Sequence, residues 1–268
     1  MNDIVKAIIL GIVEGITEFL PISSTGHLII MNRFVDFIGS FAYLFDIVIQ
    51  LGAILSVVVY FWNRLNPFSA AKGPAERKET LDLWKKTVIG VIPAMGIGLL
   101  AGSYVKEHLF NPITVAAALI IGGLALIWLE MRRKESSINS IAALTYTSAF
   151  IIGIIQCIAM VPGTSRSAAT IIGAMLLGAS RIVAAEFSFF LAIPTMFAAS
   201  AYSLLKADVA LTADRVLVLG VGFAVSFVVA LLVIAGFMRF ISRRNFIPFG
   251  YYRIILGAAV LCYFLLAK

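Results

Sequence analysis

Two short polar clusters interrupt an otherwise apolar chain and hold most of the side chains that could do chemistry. The first runs from Glu14 and Glu18 to Ser23-Ser24-Thr25-Gly26-His27; the second is Thr164-Ser165-Arg166-Ser167. Glu14 and Glu18 are four residues apart, so on a helix they share a face. Ionised groups in apolar segments are costly and face a cavity or a partner. Such a pair can hold a hard divalent ion, Mg2+ or Ca2+, or act as a base; a structural pair bonded to neighbouring helices is the plainer alternative. Ser23, Ser24 and Thr25 suit the N-cap of a following helix, and a helix N-terminus attracts anions. His27 follows Ser24 by three residues, near enough to exchange a proton with it. Arg166 is the lone charge between residues 142 and 180. Its planar fork suits phosphate, the alternative being an ion pair with Glu14 or Glu18.

Together these groups match the needs of phosphoanhydride cleavage: charge neutralised on the phosphoryl oxygens and a nucleophile in line. The expected catalytic set is Glu18, Ser24, His27 and Arg166. Ser24 or a water is the nucleophile, and His27 or Glu18 moves protons. Ser23, Thr25, Gly26, Thr164, Ser165, Arg166 and Ser167 are expected to bind phosphate, and Glu14 with Glu18 to hold the metal.

These clusters must be positioned within a bilayer. Of the 268 residues 61% are hydrophobic and 13% charged, whereas soluble domains carry about 25% charged residues. Six stretches reach the roughly 20 residues that a span needs: 41–62, 83–103, 113–131, 183–205, 216–238 and 247–267. Regions 4–38 and 144–180 instead consist of two short apolar pieces around a polar break, and are expected to be re-entrant helix–loop–helix segments. Backbone at such a break must be shielded by protein or line a wet cavity. The expected fold is therefore an all-α polytopic membrane protein forming one domain over 1–268.

Thirteen of the 21 basic residues, among them Arg64, Lys85, Lys86, Arg132, Arg133, Lys134, Arg181 and Arg244, fall on one side of this arrangement. That side is expected to be cytoplasmic, with both termini opposite. The net charge of +7 is thus topological, and no nucleic-acid partner is expected. The stretch 64–86 reads as a solvated loop. Asp46 and Gln50 form a second polar pair in a span, Glu186 opens another, and Arg253 in the last span reads as snorkelling outward. Cys157 and Cys262, with no metal-type spacing, read as buried free thiols.

The halves resemble one another. Gly11-Ile12-Val13-Glu14 parallels Gly153-Ile154-Ile155-Gln156, the Pro21 and Pro162 breaks correspond, and Ile92-Pro93-Ala94 echoes Ile247-Pro248-Phe249. One broken segment plus three spans per half inverts the second half, giving an inverted-topology repeat of 1–135 and 142–268. Such folds bind at the midplane, where broken helices meet.

Glu14-Gly15-Ile16-Thr17-Glu18-Phe19-Leu20-Pro21-Ile22-Ser23-Ser24-Thr25-Gly26-His27 and Pro162-Gly163-Thr164-Ser165-Arg166-Ser167 resemble the two signatures of the undecaprenyl-diphosphate phosphatases, also called bacitracin-resistance proteins. The resemblance extends over the whole chain. One departure is Ala168, where the family often has Gly. The resemblance implies a multi-pass enzyme of the bacterial inner membrane that converts undecaprenyl diphosphate to the monophosphate, recycling the carrier for peptidoglycan. It also implies a site open to the periplasm, a need for Mg2+ or Ca2+, and functional roles at Glu14, Glu18, Ser24, His27 and Arg166. Oligomeric state stays open, a homodimer included. The competing class is a transporter or lipid translocase with a midplane anion site, which the repeat by itself would favour.

Overall fold

The computed structural model describes residues 1–132, 135–205 and 211–266. The expected cytoplasmic residues Arg133 and Lys134, and the end of the last span at residue 267, lie outside the described residues. Among the described residues the chain is helical, with eleven α-helices and one 3-10 turn. The first half comprises α1 (Asp3–Thr17), α2 (Ser24–Phe34), α3 (Ser40–Tyr60), α4 (Trp62–Leu65), α5 (Pro74–His108) and α6 (Pro112–Met131). The second comprises α7 (Tyr146–Gln156), the 3-10 turn Cys157–Met160, α8 (Arg166–Leu176), α9 (Arg181–Leu205), α10 (Ala213–Ile241) and α11 (Ile247–Leu266).

The six helices α3, α5, α6, α9, α10 and α11 are long and apolar enough to cross a bilayer, so the chain is a multi-pass membrane protein. By contrast α2 and α8 have 11 residues each, about 16 Å of helix, roughly half the hydrocarbon thickness. Polar caps set these elements. Asn111 accepts from the Thr114 N–H, with Pro112 filling the first helical position of α6, where its missing N–H costs nothing. Thr145 and Thr212 cap α7 and α10 in the same way.

The most buried spans are α3 and α9, with 56% and 61% of their apolar windows covered, against 22% for α11. Phe187, Phe189 and Phe190 of α9 are fully buried, and Phe19 meets Phe189 edge to face. Outer helices turn apolar side chains such as Leu99, Leu100 and Ile255 outward, which only lipid can cover without cost.

Helix partners follow an exchange pattern. Helix α1 packs on α10 and α7 on α5; α3 meets α9, and α6 meets α11. The contacts are backbone-close where glycine allows it. A Cβ on Gly11 would sit 2.9 Å from the Gly222 carbonyl, and one on Gly153 only 2.2 Å from the Gly90 carbonyl. These are the glycines that the two matched motifs place in register. Between α6 and α11, a Cβ on Gly123 or on Gly250 would strike the other's carbonyl, at 2.6 and 2.8 Å.

Several expectations need correction. Pro93 lies inside α5, whereas Pro248 lies in the first turn of α11, so that sequence echo joins unlike positions. The 64–86 stretch is not one loop: α5 begins at Pro74, and Lys86 is buried, bonded to the Ile141 and Ala142 carbonyls and paired with Asp82. A four-carbon stem can bury along α5 while its ammonium reaches carbonyls of the turn that precedes α7. Cys157 is only half buried, and Cys262 is exposed, because α11 is an outer helix.

Candidate active site at the meeting of two broken segments

Each break ends in a serine with positive φ, Ser23 at 72° and Ser165 at 69°. Outside glycine this conformation is uncommon and concentrates at functional sites. The turn swings each serine hydroxyl onto the following helix: Ser23 Oγ accepts from the Gly26 N–H of α2, and Ser165 Oγ from the Ala168 N–H of α8. Both helices thus start inside the protein, with first-turn N–H groups that no preceding carbonyl of their own helix can satisfy.

Glu18, just past the end of α1, joins the halves. Its Oε2 accepts a hydrogen bond from Ser24 Oγ. Its Oε1 accepts from Arg166 Nη2 at 3.1 Å. Both side chains are well buried, 6% and 13% exposed. Arg166 Nη1 donates to the Ser188 carbonyl at 2.9 Å, and the guanidinium lies 5.9 Å from the Phe19 ring centroid. Its Nε is buried without a partner. Ser167 Oγ reaches across to the Leu20 carbonyl at 2.9 Å, tying the second tip to the first.

Glu14 is fully buried and neither carboxylate oxygen has a hydrogen-bond partner. It lies within electrostatic range of Glu18, Asp46 and Arg166. Gln156, at the matched position of the second half, has an unpartnered Oε1. Asp46 accepts from Asn32 and has one oxygen free.

Two cavities flank this centre. One, about 230 Å³, is lined by Ser24, Thr25, Tyr43, Asp46, Gln50 and Ser203 among others. The other, about 480 Å³ and mostly apolar, adjoins Arg166 and Gln156 between α5 and α9. Thr25 is therefore at a cavity wall, whereas Thr164 gives its carbonyl to Arg253.

His27 is placed differently from the expectation. Its Nδ1 bonds the Ser23 carbonyl and its Nε2 the Tyr252 hydroxyl, both at 2.7 Å. The side chain bonded to Ser24 is Glu18, not His27. Arg253 does not snorkel: it is 0% exposed and donates to the Pro21, Ala118, Leu119, Gly163 and Thr164 carbonyls. Mid-span charge was the available signal, but its direction was not. Glu186 pairs with Arg64, and Glu130 is clamped by Arg181 and the Phe246 N–H. These last two pairs sit with the basic end of the molecule, away from the tips.

In a multi-pass helical membrane protein, acid, hydroxyl and guanidinium groups of two broken segments thus meet at one buried centre. The sequence matches the family described as "Bacitracin resistance protein BacA" over residues 7–259, and the chain belongs to that family. It is 52% identical over 266 residues to "Undecaprenyl-diphosphatase 1" of Clostridioides difficile, covering 98% of this chain and 97% of that one. It is 49% identical over 267 residues to an "Undecaprenyl-diphosphatase" of Desulfitobacterium hafniense, covering 98% and 96%. A protein of the same name from Enterococcus faecalis is 46% identical over 265 residues, covering 97% and 96%.

Proposed function

We propose that this chain hydrolyses undecaprenyl diphosphate to undecaprenyl phosphate at the meeting of the two broken segments. The observation that carries the reading is Glu18, which bonds Ser24 of its own half and Arg166 of the other. In the proposed reaction Ser24 Oγ attacks the terminal phosphorus and its proton passes to Glu18. The bond from that phosphorus to the bridging oxygen breaks, and undecaprenyl phosphate leaves. Water then cleaves the phosphoserine, taking the reverse proton path and releasing inorganic phosphate. Arg166 and the first-turn N–H groups of α2 and α8 neutralise charge developing on the transferred phosphoryl. Ser23, Thr25, Gly26, Thr164, Ser165 and Ser167 shape the phosphate cradle. His27 keeps the first tip in place through the Ser23 carbonyl.

The donor set fits a hard divalent cation such as Mg2+ or Ca2+. Glu14 presents two buried oxygens without a partner, whereas both oxygens of Glu18 are engaged. Glu14 would be the first protein ligand, and Glu18 a second only by exchanging one of its bonds. Among the described residues no three acidic, histidine or cysteine side chains converge, so phosphate oxygens and water would complete the shell, as is usual for Mg2+. When bound, the ion would supply further charge neutralisation.

Relatives in bacteria, the helical spans and the basic-end charges support placement in the bacterial inner membrane. Both cavities lie beside the C-terminal part of α9, and the smaller also beside the start of α3, the ends opposite Arg181 and Arg64. By the positive-inside rule, that supports an opening to the periplasm. The exchange of helix partners and the matched glycines support an inverted repeat of residues 1–135 and 142–268, with re-entrant tips. The test is phosphate release from undecaprenyl diphosphate by purified protein with Mg2+ or Ca2+. Release is expected; none with either ion, alongside lipid movement in vesicles, would favour a translocase.

A further inference from the structure

We propose that Arg253 is a positioning residue for this reaction, holding the two tips in the register that brings Glu18 and Ser24 to Arg166. The proposal rests on the site reading given above.

Arg253 spends its donors on five backbone carbonyls. Nε bonds Leu119 O at 3.3 Å and Nη1 bonds Pro21 O at 3.2 Å. Nη2 is shared among Ala118, Gly163 and Thr164 oxygens, at 3.0, 3.2 and 2.9 Å. One guanidinium thus bridges the first break, the second break and α6. Pro21 lies between Glu18 and Ser24 in sequence, and Thr164 two residues before Arg166. Sliding either tip would break these bonds together with the Glu18–Arg166 contact.

Stability alone does not account for this arrangement. Burying a charge on carbonyl dipoles alone is expensive. What the guanidinium supplies is donors for carbonyls that a bilayer leaves unsatisfied, from both halves at once. It also orients the peptides. In a trans peptide the N–H points opposite to the C=O, so the Thr164 carbonyl drawn to Arg253 turns the Ser165 N–H away, at the start of α8 beside Arg166.

The surroundings are built for this side chain. A Cβ on Gly122 would lie 2.2 Å from Arg253 Nη2, so only glycine leaves the guanidinium its seat against α6. The preceding residue, Tyr252, bonds His27 Nε2 and stacks on its ring at 5.6 Å between centroids. Helix α11 therefore bonds each tip twice, through the adjacent residues Tyr252 and Arg253.

The experiment compares purified full-length wild type with Arg253→Met, Arg253→Ala, Arg253→Lys and Gly122→Ala, measuring kcat and KM for undecaprenyl diphosphate per folded molecule. Misplacing reacting groups by about 1 Å can cost about 100-fold. Arg253→Met is expected to lose about 100-fold in kcat with KM nearly unchanged. Arg253→Lys, which keeps donors but not the fork, should recover about tenfold of that loss. Gly122→Ala should reproduce the kcat defect with Arg253 still present. Guanidinium ion, but not ammonium, should partly restore Arg253→Ala. Wild-type kcat per folded molecule with only a lowered Tm would reduce Arg253 to scaffold and overturn the proposal; so would a raised KM at constant kcat. Should Arg253→Met fail to fold, Gly122→Ala and Arg253→Lys decide. A wild-type chain that releases no phosphate would overturn the function, and this proposal with it.

Discussion

Replacing Arg166 by Met separates catalysis from mere charge pairing. The guanidinium is 13% exposed and Glu18 6% exposed, with 3.1 Å between Nη2 and Oε1. Removing one partner of so buried a pair strands the other and costs about 3–5 kcal/mol of stability. If Arg166 also neutralises the transferring phosphoryl, turnover should fall by about 10³-fold or more, equivalent to roughly 4 kcal/mol of barrier. The two effects part company in the double variant Glu18→Gln/Arg166→Met. That variant leaves no unpaired charge at the pair and should regain most of the lost stability. It should regain none of the lost turnover, and Arg166→Met alone, in which Glu18 is intact, measures the catalytic loss. Thermal unfolding in detergent gives the first quantity, and phosphate release at saturating substrate and divalent ion gives the second. Full turnover in Arg166→Met, or turnover returning with stability in the double variant, would show that Arg166 only balances Glu18 and would refute the reasoning.

Other outcomes follow from the same geometry. Ser24→Ala and Glu18→Gln should each lower kcat by about 10³-fold or more, and the double variant should lose little beyond either, because residues acting as a unit are not additive; additive losses in rapid-quench assays would argue for separate roles. Glu14→Gln should raise the Mg2+ or Ca2+ concentration for half-maximal activity by about 10–100-fold and weaken Mn2+ binding followed by electron paramagnetic resonance; unchanged metal affinity would remove Glu14 from the ligand set. Gly153→Ala, whose Cβ would meet the Gly90 carbonyl at 2.2 Å, should cost about 1–3 kcal/mol, read as a lowered Tm; wild-type stability would mean that α5 and α7 can separate at no cost.

Much was legible without coordinates. Runs of about 20 apolar residues specify spans because lipid leaves a backbone no partner but itself, and the six long helices follow from composition and length. The polar breaks announced themselves because Pro21, Ser23, Pro162 and Ser165 cannot sit idle in such runs. Tertiary structure decided what those groups touch. His27 is close to Ser24 in sequence, yet the turn at Ser23 sends its ring to Tyr252, some 225 residues along the chain. Arg253 reads from its neighbours as a peripheral cation. Only the packing of α11 on α6 at Gly122, Gly123 and Gly250 carries it inward to both tips. The Glu18–Arg166 pair spans 148 residues. Periodicity and hydropathy are local properties and report which segments enter the membrane. Which face of one helix meets which tip of another is set by glycine-permitted backbone approach, and that belongs to pairs of segments distant in sequence.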